Sequence, residues 1–199
     1  GVQEASAAEG TLSSLYISQI EKADFPVLIM DLMYVENALK SMMPDFIFLG
    51  TLGIDVIRNY TVLLDYQASE ITLDPERGFE AQETISMSCD KLPIIQVEAA
   101  GRTCNFVLDT GASFCLLGQG FQDDPQLAPV SKTSSLVTIP VVRVGENEYP
   151  NITAAISNIS AIQESVPVDG IIGYQILSPQ RSILDFKNNQ LILEKAQKD

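Results

Sequence analysis

Phe106-Val107-Leu108-Asp109-Thr110-Gly111-Ala112-Ser113-Phe114 holds more structural information than any other part of the chain. An apolar run stops at Asp-Thr-Gly, and a second apolar run resumes after one small residue and a serine. This order predicts a buried strand that delivers a single carboxylate to a tight turn, with Gly111 allowing a backbone conformation that a side chain would forbid. Upstream, Pro93 to Val97 and Cys104 to Leu108 are two β-rich runs joined through Ala100-Gly101, the pattern of a hairpin leading into the turn. Downstream, Asp169-Gly170-Ile171-Ile172-Gly173 sets an apolar pair between two glycines.

Composition bounds what such a carboxylate could do. At 199 residues and 46% hydrophobic, the chain can bury one or two small cores. A net charge of −14 argues against nucleic acid, whose phosphates need a basic surface. It fits a solvated acidic surface, with a preference for basic peptides as the sharper alternative. No apolar run reaches the length of a membrane span, and the first residues have neither the basic end nor the apolar core of a signal peptide. A soluble protein, or the soluble part of a larger one, is expected. The compartment stays open, secretion or the periplasm included.

Histidine is absent, which removes Ser-His and Cys-His nucleophilic pairs and every zinc site that needs imidazole. Cys89, Cys104 and Cys115 are odd in number and sit in apolar, strand-like runs. They read as buried free thiols, with a Cys89 to Cys104 bridge as the alternative. Neither cofactor nor metal is expected. Three Asn-X-Ser/Thr matches, at Asn59, Asn151 and Asn158, read as chance in a chain this rich in those residues.

Asp-Thr-Gly-Ala-Ser after an apolar strand resembles the active-site loop of aspartic peptidases, and its compact surroundings resemble the retropepsin-like branch more than a long pepsin lobe. The hairpin before it and the Ile171-Ile172-Gly173 motif after it stand in that family's order. The resemblance implies a mainly β fold of closed acid-protease barrels with short helices. It implies an endopeptidase acting on peptide or protein substrates, with Asp109 as a catalytic residue. In the supporting loop Thr110 to Ser113, which includes Ala112, Thr110 would brace a paired loop, Gly111 would let the backbone approach the water, and Ser113 would hydrogen-bond the outer oxygen of Asp109. Ile171, Ile172 and Gly173 would pack behind the loop. A hairpin predicted from Val137 to Val144 and Glu148 to Ala155 would hold the flap position, with Val144, Gly145, Glu146 and Asn147 at its tip; an ordinary surface hairpin is the other reading.

A second pattern sets the domain organisation. Gly50-Thr51-Leu52-Gly53 matches Gly170-Ile171-Ile172-Gly173, Leu64-Asp65-Tyr66 matches Leu184-Asp185-Phe186, and Ile71-Thr72-Leu73 matches Leu191-Ile192-Leu193. Each pair is 120 residues apart (170 − 50 and 193 − 73), which reads as two copies of one unit. On this reading 1–73 is the C-terminal half of a first lobe, with 1–10 a flexible lead-in, 74–84 is a linker, and 85–199 is a complete lobe. Hairpins are expected around 15–30, turning at Glu21 to Asp24, and around 61–73, with a short helix or irregular structure over 34–43, a short helix from Ile54 to Arg58, a loop over 160–168, a short helix from Gly173, and strands at 183–186 and 190–194.

Hydrolysis without metal or covalent nucleophile needs a base for water and an acid for the carbonyl oxygen or leaving nitrogen. Two carboxylates about 3 Å apart do both because they share one proton. Asp109 alone cannot. Asp55, Asp65 and Asp185 read as cap or sheet-end residues, so its partner would come from an upstream lobe or from a second chain across a two-fold axis. The alternative is an aspartic-protease fold kept as a binding or dimerisation module in which the pair never assembles.

Overall fold

The computed structural model describes residues 7–75, 81–131 and 135–194. Two compact units divide the chain between Leu52 and Gly53. The first holds an antiparallel hairpin of β1 (Ala7–Ile17) and β2 (Ile20–Met30), followed by helix α1 (Met33–Met42). The tight turn falls at Ser18-Gln19, with Ser18 in the left-handed region at φ +54°. Glu21 to Asp24, expected to form the turn, lie within β2: a two-stranded ribbon leaves one face in water, so a charged run fits there without a turn. Residues 7–10 of the expected lead-in belong to β1, and 1–6 lie outside the described residues. None of the side chains described between 7 and 52 is buried.

The second unit runs α2 (Ile54–Ile57), β3 (Thr61–Asp65), β4 (Glu70–Leu73), β5 (Ala81–Ser88), β6 (Ile94–Ala99), β7 (Arg102–Leu108), β8 (Cys115–Leu117), β9 (Ala128–Pro129), β10 (Leu136–Val144) and β11 (Asn147–Ile156). Helix α3 (Ser160–Gln163), β12 (Gly170–Ile172), α4 (Tyr174–Leu177), β13 (Ser182–Asp185) and β14 (Gln190–Glu194) complete it. The expected linker ends inside β5 from Ala81 onward, and 76–80 lie outside the described residues. The loop expected over 160–168 contains α3.

Strands β6, β7, β12, β8, β11 and β10 are hydrogen-bonded in that order, and β6 pairs again with β10 at Ala99↔Val142 and Glu98↔Arg143, closing a six-stranded barrel. The mainly β, closed-barrel fold expected from the sequence is the fold observed. Alternation fills it. In β6, Ile95, Val97 and Ala99 point into the barrel while Gln96 and Glu98 face water. From Phe106 to Leu108, β7 is buried on both sides. Cys104, Phe106 and Leu108 join the barrel core, and Val107 packs with Val166, Val168 and Ile171 in a second cluster. That is why Phe106 to Leu108 is apolar without a break: a strand covered on both faces has no polar side to alternate with.

A second sheet runs β4-β3-β13-β14-β5. The β3–β4 hairpin pairs Val62 with Leu73 through Asp65 with Glu70, and β13–β14 pairs Ser182 with Leu193 through Asp185 with Gln190. β3 lies antiparallel to β13, with Leu63 opposite Ile183. Asp65 accepts a hydrogen bond from the Ala68 N–H (2.9 Å), and Asp185 accepts one from the Asn188 N–H (3.1 Å), so both carboxylates tie down turns.

Candidate active site

The loop after β7 is fixed by backbone hydrogen bonds. β12 runs parallel beside β7, with Gly170, Ile171 and Ile172 opposite Phe106, Val107 and Leu108. One step on, the Asp109 N–H donates to the Ile172 carbonyl (2.9 Å). The chain then reverses: the Ala112 N–H donates to the Asp109 carbonyl (3.1 Å), and the Tyr174 N–H at the start of α4 donates to the Ala112 carbonyl (2.9 Å). The Cys115 N–H donates to Gln175 Oε1 at 3.1 Å, so α4 grips the loop on both sides of Ser113.

Glycine at 173 makes this grip possible. A Cβ there would collide with the carbonyl oxygens of Asp109 and Ala112, atoms that the loop's own hydrogen bonds hold in place. Gly170 is constrained likewise by the Leu116 carbonyl and by the Phe106 ring at 3.0 Å. Ile171 and Ile172 are both buried, behind the loop. The apolar pair between glycines is thus a strand pressed against β7 and β8 too closely for side chains at its ends.

The Asp109 carboxylate is exposed at the mouth of β7. Its Oδ1 accepts the Gly111 N–H at 2.9 Å, and among the described residues no hydrogen bond reaches Oδ2. One oxygen is oriented and the other faces outward, an arrangement that suits a base or proton carrier. Thr110, Gly111, Ala112, Ser113 and Tyr174 line a shallow recess at this point. The hydroxyls of Thr110 and Ser113 have no hydrogen-bond partner among the described residues. Among the described residues no hydrogen bond joins Ser113 to the outer oxygen of Asp109; the Gly111 amide, two residues along the same turn, takes Oδ1.

Two tyrosines frame the loop. The Tyr66 hydroxyl donates to the Thr110 carbonyl at 3.4 Å, and its ring meets Tyr174 edge to face, centroids 5.3 Å apart. Burial pushes the Tyr66 phenol up, and the Asp109 charge and Tyr174 add to the shift. Sequence reasoning took Tyr66 only as the counterpart of Phe186; its hydroxyl, absent from phenylalanine, was the available signal. Cys115 follows the loop but is fully buried, and burial pushes its thiol up to about 12, so it is no thiolate at neutral pH. Cys89, Cys104 and Cys115 are all free thiols.

The proposed flap tip is engaged elsewhere. The Glu146 N–H donates to Glu83 Oε1 (2.6 Å) and Asn147 Nδ2 to Glu83 Oε2 (2.5 Å), which fastens the turn after Val144 to β5. Gly145 has φ +61°, and a Cβ there would overlap the Glu83 carboxylate. Neither these residues nor Val144 line the recess beside Asp109. Among the described residues no group of three or more Cys, Asp and Glu could hold a metal ion, and no helix is long and apolar enough to cross a membrane.

No protein-family model matches this chain. No curated protein matches it either. Among solved structures, the chain is similar to the crystal structure of a retropepsin-like aspartic protease from Rickettsia conorii, at 19% sequence identity and a TM-score of 0.44, over 61% of this chain and 97% of that one.

Proposed function

We propose that this chain supplies one half of an aspartic endopeptidase, with Asp109 as one of two carboxylates that share a proton and activate water against an extended peptide. The observation that carries this reading is the Asp109 loop: an exposed carboxylate, one oxygen oriented by its own turn, on a backbone that Gly173 and α4 hold still. Preorganisation of this kind is of little use to a surface aspartate and of great use to a catalytic one. Thr110 and Ser113 keep their hydroxyls available for a facing loop and for substrate.

The second carboxylate comes from another lobe, and the 120-residue repeat supports that view. Helices Ile54–Ile57 and Tyr174–Leu177 stand at the same offset, 174 − 54 = 120. So do the two hairpins and the turns tied by Asp65 and Asp185. The Asp74 N–H donates to the Thr61 carbonyl as the Glu194 N–H does to that of Arg181. Leu63 faces Ile183, its own counterpart (183 − 63 = 120), as two copies related by a two-fold axis require. Residues 1–73 are then the C-terminal part of a first lobe whose Asp-bearing loop comes from an upstream segment or another chain.

One observation favours a second reading, a binding or dimerisation module. Among the described residues no carboxyl group is hydrogen-bonded to Asp109.

Cleavage of a denatured protein mixture between roughly pH 3 and 7, where a coupled pair titrates, separates the two. It is run with and without a statine-type inhibitor and with Asp109→Asn. Inhibitor-sensitive cleavage that the substitution abolishes is expected once the second carboxylate is supplied, and weak or no cleavage from this chain as a monomer. Activity that survives Asp109→Asn would remove Asp109 from the mechanism.

A further inference from the structure

We infer that Tyr66 is a positioning residue for Asp109: its hydroxyl, on the Thr110 carbonyl, keeps the Thr110–Gly111 peptide turned so that the Gly111 N–H faces the carboxylate. The inference rests on the role of Asp109 proposed above and adds to it a residue from outside the loop. Asp109 to Ala112 form a β-turn, closed by the Ala112 N–H on the Asp109 carbonyl at 3.1 Å. Its central peptide joins Thr110 to Gly111 and can stand in two ways. With Gly111 outside the left-handed region, as it is here, the Gly111 N–H points back to the Asp109 side chain and meets Oδ1 at 2.9 Å. Flipped over, with Gly111 at positive φ, the same peptide turns that N–H away. A glycine takes either form at little cost, so the turn by itself does not hold the carboxylate's donor in place.

Tyr66 supplies the hold. The carbonyl and the N–H of one trans peptide point in opposite directions, and no peptide bond described in the chain is cis. A donor on the Thr110 carbonyl therefore fixes the Gly111 N–H on the other side, and it polarises that N–H as well. The Tyr66 bond is long for a hydroxyl, at 3.4 Å, but it acts between two orientations that differ little in energy. Its ring is seated edge to face on Tyr174, whose own N–H is tied to the Ala112 carbonyl. Burial, then the Asp109 charge and Tyr174, push the phenol up. The hydroxyl thus keeps its proton, and stays a donor, across the acidic range in which a carboxylate pair works.

The repeat separates the ring from the hydroxyl. The residue 120 positions on (186 − 66 = 120) is Phe186, buried in the barrel core with no hydroxyl to offer. An aromatic ring is what the two copies share; the donor at position 66 is an addition, and it lies against the Asp109 loop.

The test is Tyr66→Phe in the full chain, which keeps the ring and removes the donor, read by the solvent exchange of individual amides in NMR. Gly111 should exchange roughly three- to tenfold faster, the weight of one modest hydrogen bond. Ala112, Cys115 and Tyr174, whose N–H groups have other acceptors, should change by less than about twofold. p-Aminophenylalanine at position 66, which puts an N–H donor on the same ring, should restore the parent rate. An unchanged Gly111 rate would overturn the inference. So would four rates that rise together, since a ring that merely supports the loop would loosen all of it. Tyr66 does not line the recess beside Asp109, so once the second carboxylate is supplied Tyr66→Phe should lower kcat by a factor like that at Gly111 and leave KM within about twofold. An unchanged kcat beside a faster Gly111 amide would also overturn the positioning role. Absence of cleavage from the parent itself would remove the peptidase reading and leave the amide rates to decide on Tyr66; Asp109-dependent cleavage with an unchanged Gly111 rate would remove Tyr66 and leave the peptidase.

Discussion

At Gly173 the chain has no room for one methyl group. The obstacles are the carbonyl oxygens of Asp109 and Ala112, and neither can retreat without disturbing the hydrogen bond it accepts, from the Ala112 N–H and the Tyr174 N–H respectively. Gly173→Ala should therefore lower stability by about 1–3 kcal/mol, the usual cost of forcing an atom into a packed site. Gly111→Ala, whose nearest obstacle is Asp109 Oδ1 at 3.3 Å, should cost less. Urea unfolding of the two variants beside the parent checks this, and a Gly173→Ala protein as stable as the parent would contradict the close-packing account. The strand ending at Asp109 and the Ile171-Ile172-Gly173 motif could be read from sequence because a strand, a tight turn and a forbidden side chain leave local marks in residue type. Gly111 departs from the reading: its φ is not in the left-handed region, and a Cβ there would meet only Asp109 Oδ1 at 3.3 Å. Tyr66 could not be read in this way. It reaches the loop only because β3 pairs with β13, a contact between residues some 120 apart that no local pattern announces.

The hairpins were legible where one face is dry. Alternation in β10 and β11 predicted both strands to within a residue or so, and the register Val144↔Asn147 puts the turn at Gly145-Glu146 as read. What the turn touches was not legible, since Glu83 lies more than sixty residues earlier and looks like any exposed glutamate. Its carboxylate takes the Glu146 amide and the Asn147 side chain, while Arg143 is held by Glu98 and Glu148 beside them. The tip of the hairpin is thus tied to β5. Glu83→Ala should release its tip, raising the exchange rate of the Glu146 amide by roughly tenfold and costing about 1–2 kcal/mol in stability. Unchanged exchange at Glu146 would mean that Glu83 is not what fastens the turn. Helix α3 went unread for a different reason: four residues, Ser160–Gln163, are too few to display a period.

Closing the barrel and joining it to the β4-β3-β13-β14-β5 sheet seals two acidic groups of high intrinsic pKa inside the second unit. Burial pushes Cys115 from 9.0 to about 12. It pushes Tyr149 from 10.0 to about 12, against a hydrogen bond from Gln180 Nε2 that lowers it and with the Glu83 charge that raises it. In both cases the native protein holds a proton that the unfolded chain has already released. Between those ordinary values and about 12 the unfolded state therefore binds fewer protons, and stability must fall as pH rises. Below about pH 9 both groups are protonated in both states and contribute no slope. Each adds at most about 1.4 kcal/mol per pH unit inside its window. The chain's net charge of −14 adds self-repulsion at high pH to every variant alike, so the informative quantity is a difference between proteins. Urea unfolding at intervals from pH 7 to about 11 should give parallel curves for the parent and Tyr149→Phe up to about pH 10. Beyond that the variant should lose stability less steeply, because one buried phenol no longer titrates. Identical alkaline slopes would show that Tyr149 ionises as freely in the folded protein as in the unfolded chain, and that the barrel wall beside β11 admits water.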